Sequence, residues 1–201
     1  MNRRAFFVGC TLSVGVAGCL DDLSDDEGGS DELPGDIRPD DDPENVPAEL
    51  HCEGEEFDRI QYQDDDDELV YGDADAFALR VMDLSYDYGE SATFELVNTS
   101  SEEQLTSTST RWNLQLYTEN GWEEVRGTTE DRRLEHTDEE VSHEPGDGFS
   151  WTIELTEDGI SEAGPVSDSV AVCPELRAGR FRFIYTGYAP EDVAVQFDFE
   201  R

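Results

Sequence analysis

The side chains able to ligate a metal, attack a substrate or cross-link are few: four cysteines, three histidines and scattered serines in 201 residues that hold 51 acids. His136 and His143 flank Glu135, Glu139 and Glu140, which could hold a divalent cation. Their spacing is not that of a helical HExxH zinc site. His51 beside Cys52 is a thinner version of the same idea. Asp40-Asp41-Asp42 and the run from Asp64 to Glu68 offer carboxylates without the alternating ligands, turn glycine and closing glutamate of a calcium loop. No GxSxG-like turn presents a serine nucleophile. Carboxylates are so abundant that a glycosidase-like pair carries no information. No catalytic residue, metal ligand or cofactor site is assigned on these grounds. Asn98-Thr99-Ser100 is a glycosylation sequon at a strand end, so Asn98 is a candidate glycan site, with a plain turn asparagine as the alternative.

Cys19 has a more definite chemistry. Arg3 and Arg4 give a positive start, and Ala5 to Gly18 form an uncharged, largely apolar stretch too short to span a bilayer, which needs about 20 residues. Val16-Ala17-Gly18-Cys19 resembles the lipobox of prokaryotic lipoproteins, in which the thiol is alkylated by a lipid and the chain is cut just before it. Asn2-Arg3-Arg4-Ala5-Phe6-Phe7 resembles a twin-arginine export signal, with Arg3, Arg4 and Phe6 as its matching residues. A plain signal peptide with an incidental cysteine is the alternative. The resemblance implies removal of residues 1–18 and attachment to the extracellular face of the cell membrane through Cys19. One acyl chain holds a protein only weakly, at roughly 0.8 kcal/mol per buried methylene, so stable attachment calls for two chains or similar bulk. Cys10 lies in the apolar stretch and leaves with it.

Cys52 and Cys173 remain. Outside the cell a disulfide is permitted, and a bridge between them is expected. Two free thiols, or a metal site lacking any CxxC spacing, are the alternatives.

The net charge is −38, and it deepens by two when Arg3 and Arg4 depart. All thirteen basic residues are arginine. Because the acids run through segments with strand periodicity, the excess belongs to a folded surface. Acid excess without lysine resembles proteins of extreme halophiles, haloarchaea in particular. At about 1 M salt the Debye length is roughly 3 Å, which screens the self-repulsion of such a surface. With no basic patch, nucleic acid is excluded as a partner.

The elements that would position any site follow from periodicity. Residues 19–49 begin with the lipidated cysteine and continue as Asp, Glu, Gly, Ser and Pro, the composition of a disordered acidic tether. Residues 50–201 form one domain. Two-residue alternation marks strands through Phe77, Leu79 and Val81; Ala92, Phe94 and Leu96; Trp112, Leu114 and Leu116; Phe149, Trp151, Ile153 and Leu155; Phe181, Phe183 and Tyr185; and Val193, Val195, Phe197 and Phe199. Asn120-Gly121 reads as a tight turn into Trp122-Glu123-Glu124-Val125. One helical turn is expected around Ser161 to Ala163. Seven or so short strands in about 150 residues predict an all-β antiparallel sandwich. Its three tryptophans and most phenylalanines fall on inward-facing positions and belong to the core, with Trp122 the one to watch because it follows a turn.

Asn98-Thr99-Ser100, Gly121-Trp122, Pro145-Gly146 and Leu176-Arg177-Ala178-Gly179-Arg180-Phe181-Arg182 recur in an order that resembles an Ig-like domain of bacterial surface and secreted proteins, over about residues 70 to 200. Phe181 stands where that pattern has tyrosine, which leaves a tyrosine-corner hydrogen bond in question. The resemblance implies an Ig-like β-sandwich and an interaction or spacer role, and it transfers no catalytic residue. The expected function is a non-catalytic binding module of the cell envelope, with an unknown envelope protein or glycan as partner. A structural spacer, or an accessory subunit of an exported enzyme or transporter, are the competing expectations.

Overall fold

The computed structural model describes residues 33–52, 57–62, 68–128, 139–164, 169–188 and 191–201. The expected signal peptide with Arg3, Arg4 and Phe6, the lipidation site Cys19, the first part of the acidic tether, the aspartates 64–67, Glu135 and His136 lie outside the described residues.

The chain opens its strands with β1 (Asp58–Arg59), β2 (Glu68–Tyr71), β3 (Phe77–Val81), β4 (Ser85–Asp87) and β5 (Ser91–Asn98). It continues through β6 (Gln104–Thr106), β7 (Trp112–Thr118), β8 (Gly121–Glu124) and β9 (Arg126–Thr128). Then come β10 (Val141–His143), β11 (Gly148–Glu154), the helix α1 (Glu157–Glu162), β12 (Ala171–Val172), β13 (Gly179–Tyr185) and β14 (Glu191–Glu200). The large sheet runs β2-β14-β13-β7-β8, with β4 also on β14; the opposing sheet runs β11-β5-β3. Two minor sheets, β10-β6 and β1-β9-β12, close the ends. The fold is an all-β sandwich, as the alternation predicts.

Its core is where the two inner faces meet. Phe94 of β5 stacks on Phe183 of β13 with ring centroids 4.2 Å apart, and Trp112 and Trp151 pack on the same ring at 5.4 and 5.2 Å. Leu79, Leu96, Leu114, Val195 and Phe197 complete the layer, all fully buried. Each such side chain contributes roughly 1.5–3 kcal/mol by leaving water. Phe183 touches three aromatic rings, so its truncation to alanine would open a void at the centre of this layer.

Three details differ from the sequence-based expectation. The hairpin between β7 and β8 turns at Glu119 and Asn120, and Gly121 pairs with Thr118 as the first residue of β8. Gly121 adopts φ +100°, a conformation that favours glycine. The helix begins earlier than Ser161, because Thr156 caps it by accepting from the Gly159 N–H at 3.0 Å. The large sheet is mixed: β2 and β4 both join β14 in parallel. Ten-residue β14 is long enough to take both along one edge, β2 on residues 191–194 and β4 on residues 198–200.

The largest difference lies before β1. Residues 33–49 carry a tether's composition, yet they strap onto the domain. Asp36 exchanges both backbone hydrogen bonds with Val81 of β3 at 2.7 and 2.9 Å. Ile37 accepts from the Gln196 N–H at 2.8 Å, filling the β14 edge between β2 and β4. Its side chain lies against Gly72, where a Cβ would come within 2.4 Å of it, so the glycine is required by contact. Arg180 donates to the Asp41 carbonyl at 2.9 Å, and the Pro47 carbonyl accepts from the Glu119 N–H at 3.0 Å. Residues from Leu33 onward thus belong to one compact unit with the sandwich.

Candidate functional site

The strap and the segment 57–62 cover much of the outer face of the large sheet. That is why polar residues there are buried. Alternation puts Asn113 and Gln115 of β7 and Arg180 and Arg182 of β13 on this face, and all four are buried. Each is matched. The Asn113 amide donates to the Ile60 carbonyl at 3.1 Å and accepts from the Tyr62 N–H at 3.2 Å. Arg180 forms an ion pair with Asp198 at 2.5 Å, while Arg182 donates to Gln115 at 2.7 Å and to the Tyr71 hydroxyl at 3.2 Å. Burial pulls the Arg182 guanidinium below its ordinary pKa, and the Tyr71 hydroxyl opposes that shift.

At the uncovered end of this face stands an aromatic pair. The register of β7 and β8 places Tyr117 beside Trp122, with ring centroids 5.1 Å apart. The Arg182 guanidinium lies over the Trp122 ring, 4.5 Å from its centroid. Tyr117 is 36% exposed and Trp122 is half-buried. Trp122, singled out by its place after a turn, is only partly buried, while Trp112 and Trp151 are core residues. A guanidinium held by two other partners presses one side of the indole, so the platform is preorganised.

Where the chain leaves β8 for β9, a second polar cluster is sealed inside. Glu124 accepts from the Asn113 amide at 2.6 Å, the Leu114 N–H at 2.9 Å, the Arg126 N–H at 3.1 Å and the Arg126 Nε at 2.9 Å. Arg126 also donates to the Trp112 carbonyl and lies 3.5 Å over the Trp112 ring. Burial pushes the Glu124 carboxyl up, and Arg126 and Asn113 pull against it. Beside it Arg59 binds the carbonyls of Leu50, Glu124 and Cys173, next to the Cys52–Cys173 disulfide. The Cα atoms of that bridge are 5.7 Å apart. The expected disulfide is present, and it ties the strap's end to the connection that follows β12. Glu124, Arg126 and Asn113 are buried, Arg59 and the disulfide lie partly exposed at their edge, and every polar group here is matched, so the cluster's chemistry is that of a clamp.

Asn98 is not a free sequon. It is 1% exposed, and its amide donates to the Glu102 and His143 carbonyls at 2.8 and 2.9 Å. Its Oδ1 accepts from the Ser100 N–H and hydroxyl at 3.0 and 2.8 Å. The side chain fills the corner where the β5/β11 pairing gives way to β6/β10, and both amide hydrogens are spent. The folded domain leaves no nitrogen there for a glycan. His143, offered as a metal ligand, is likewise buried, within 2.8 Å of the Thr106 hydroxyl and edge-on to Phe77 and Phe149. His51 is exposed, and Asp40, Asp41 and Asp42 are separate surface carboxylates on the strap. Among the described residues no three His, Cys, Asp or Glu side chains converge on a metal position.

An open cleft of about 620 Å³ beside α1 is lined by Glu157, Asp158, Glu162 and Val172 among others. Glu157 is already occupied, accepting from the Tyr88 hydroxyl at 2.6 Å, the Leu176 N–H at 2.9 Å and Arg201 at 3.2 Å. Phe181 has no hydroxyl for a corner hydrogen bond, and the tyrosine of this strand, Tyr185, makes a long-range bond instead. Tyr185 donates to the Ser107 carbonyl at 2.7 Å, and burial pushes its hydroxyl up to about 12. Sequence reading passed over Tyr185 as a core residue because only its ring follows the alternation.

Fold and site together define a class: an acid-coated β-sandwich whose outer face ends in an aromatic pair backed by a guanidinium. The chain matches no protein-family model and no curated protein. Among solved structures it is similar to a β-glucosidase from Listeria innocua in complex with glucose, at 15% identity and a TM-score of 0.29. That likeness covers 62% of this chain and 16% of the other, and carries no argument about either fold or activity.

Proposed function

We propose that this chain is an exported lipoprotein of a halophilic cell, held at the outer membrane face by a lipid on Cys19. Its sandwich then acts as a non-catalytic binding module for another envelope protein. The observation that carries the reading is the Tyr117–Trp122 pair with Arg182 over the indole. Tryptophan, tyrosine and arginine in one cluster is the composition of energetic hot spots in protein interfaces. The Ig-like resemblance over residues 70 to 200 supports an interaction role. In molar salt, long-range attraction between charges is screened within a few ångströms, and apolar contact is strengthened. A partner of such a surface is recognised by contact, and the aromatic pair is a rigid contact surface.

Cross-linking in intact cells at native salt tests the reading, with captured proteins compared between the parent and Trp122→Ala. Loss of one specific partner in the variant is the expected result. An identical capture profile would place binding elsewhere, and capture of glycan alone would reassign the partner. Separately, Cys19→Ser should leave the membrane fraction; a variant that still sediments with membranes would overturn the anchor.

A further inference from the structure

Among the described residues β11 is the longest edge strand, and none of them pairs with its outer side. Its inner partner is β5, in a register that sets Phe149 against Leu96, Trp151 against Phe94 and Ile153 against Ala92. Hydrogen bonds from the Asn98 N–H to Asp147 and from the Leu155 N–H to Glu90 fix which residues face β5. In an antiparallel ladder such residues alternate. Phe149, Trp151 and Ile153 therefore bond to β5, and the N–H and C=O groups of Ser150 and Thr152 point outward. Both residues are exposed.

Natural edges are blunted by charge, proline, bulges or covering segments. The opposite edge of this sheet follows that rule, since Asp36 of the strap bridges to Val81 of β3. Edge β11 does not. From Gly148 to Ile153 it carries neither charge nor proline, in a chain of net charge −38. Phe149, Trp151, Thr152 and Ile153 are aromatic or β-branched, the composition that favours strand pairing.

We propose that β11 pairs with β11 of a second copy of this chain, antiparallel about a twofold axis at Trp151, to join two three-stranded sheets into one. A twofold interface must be self-complementary, and this register is. It sets Ser150 opposite Thr152 of the second copy, a pair that exchanges both N–H···O bonds, and it repeats that pair by symmetry. It also sets each Glu154 opposite Gly148, so the only carboxylates on the two strands never face each other. Shifting the register by two residues centres the axis on Ser150 or on Thr152 and loses overlap at the strand ends. An unrelated extended segment is the competing occupant of this edge, and it would give no symmetric cross-link between copies.

Cysteine cross-linking reads the register. In the full chain with Cys10 and Cys19 replaced by serine, Ser150→Cys/Thr152→Cys is oxidised mildly in molar sodium chloride, beside each single variant. Residues in a hydrogen-bonded antiparallel pair have Cα atoms about 5.5 Å apart, within reach of a disulfide. The expected outcome is a covalent dimer from the double variant and none from either single variant. A dimer from Ser150→Cys alone or Thr152→Cys alone would overturn the register. Monomer throughout, together with a monomeric mass by sedimentation equilibrium across a concentration series, would overturn the dimer. Both replaced side chains are exposed on the solvent face, so the variants should keep the parent's melting midpoint, which circular dichroism checks.

Discussion

Glu124 and Arg126, two residues apart on either side of the step between β8 and β9, form a buried ion pair 2.9 Å long beneath the Trp112 ring's own contact with the guanidinium. The pair sits where the chain leaves the large sheet and starts a minor one. Four donors converge on the carboxylate, so its lone pairs are filled as a buried charge requires.

Removing one member should therefore cost more than removing both. Arg126→Met strands a buried carboxylate and should lower unfolding free energy by about 3–5 kcal/mol. Glu124→Gln/Arg126→Met should recover most of that loss. Denaturant titration of the three proteins at native salt measures it; a double variant no better than the single one would contradict the pairing.

The disulfide closes a long loop, with Cys52 and Cys173 separated by 121 positions. Chain entropy alone values such a closure at about 4–5 kcal/mol. Cys52→Ser/Cys173→Ser should melt well below the oxidised parent and close to the parent in reductant. Equal midpoints for oxidised parent and double variant would show that the bridge constrains nothing.

Asn98 should carry no glycan on the folded protein, and intact-mass measurement of the protein purified from its native source checks this. Asn98→Ala should destabilise the corner, because the Glu102 and His143 carbonyls and the Ser100 donors lose their partner. Each buried group left unsatisfied costs about 1–3 kcal/mol. Asn98→Asp keeps an acceptor for Ser100 but removes both donors, and should fall between.

Burial holds the His143 imidazole below its ordinary pKa, with the Asp147 carboxylate opposing that shift. The unfolded chain then takes up the proton first. Stability contributed by the neutral ring is complete above the unfolded value of about 6.5 and is lost as pH falls from there toward the folded value. The difference in urea midpoint between the parent and His143→Asn should shrink from pH 7.5 to pH 5.5. A pH-independent difference would mean that His143 does not titrate differently in the two states.

Much of the sandwich was legible because alternation is a local signal. Phe181, Phe183 and Tyr185 had to face one way once they lay on a strand, whatever they packed against. The disulfide was legible by exclusion among so few cysteines, and Trp122 stood out by its place after a turn. The strap was not legible. Residues 33–49 hold no periodic apolar pattern, and what docks them is backbone: Asp36 on Val81, Ile37 on Gln196, the Asp41 carbonyl on Arg180. Main-chain hydrogen bonds leave no mark in side-chain composition. Asn98 stayed ambiguous for a different reason, since a sequon reads alike on a surface turn and in a buried corner.

The sequence by itself determined the strands, the all-β class and the acid coat, because period and composition belong to each segment alone. Only the tertiary structure decided that the strap belongs to the fold, that β2 and β4 run parallel to β14, and that Arg182 backs Trp122. Those depend on which distant segments meet, and an edge accepts any backbone that reaches it in register.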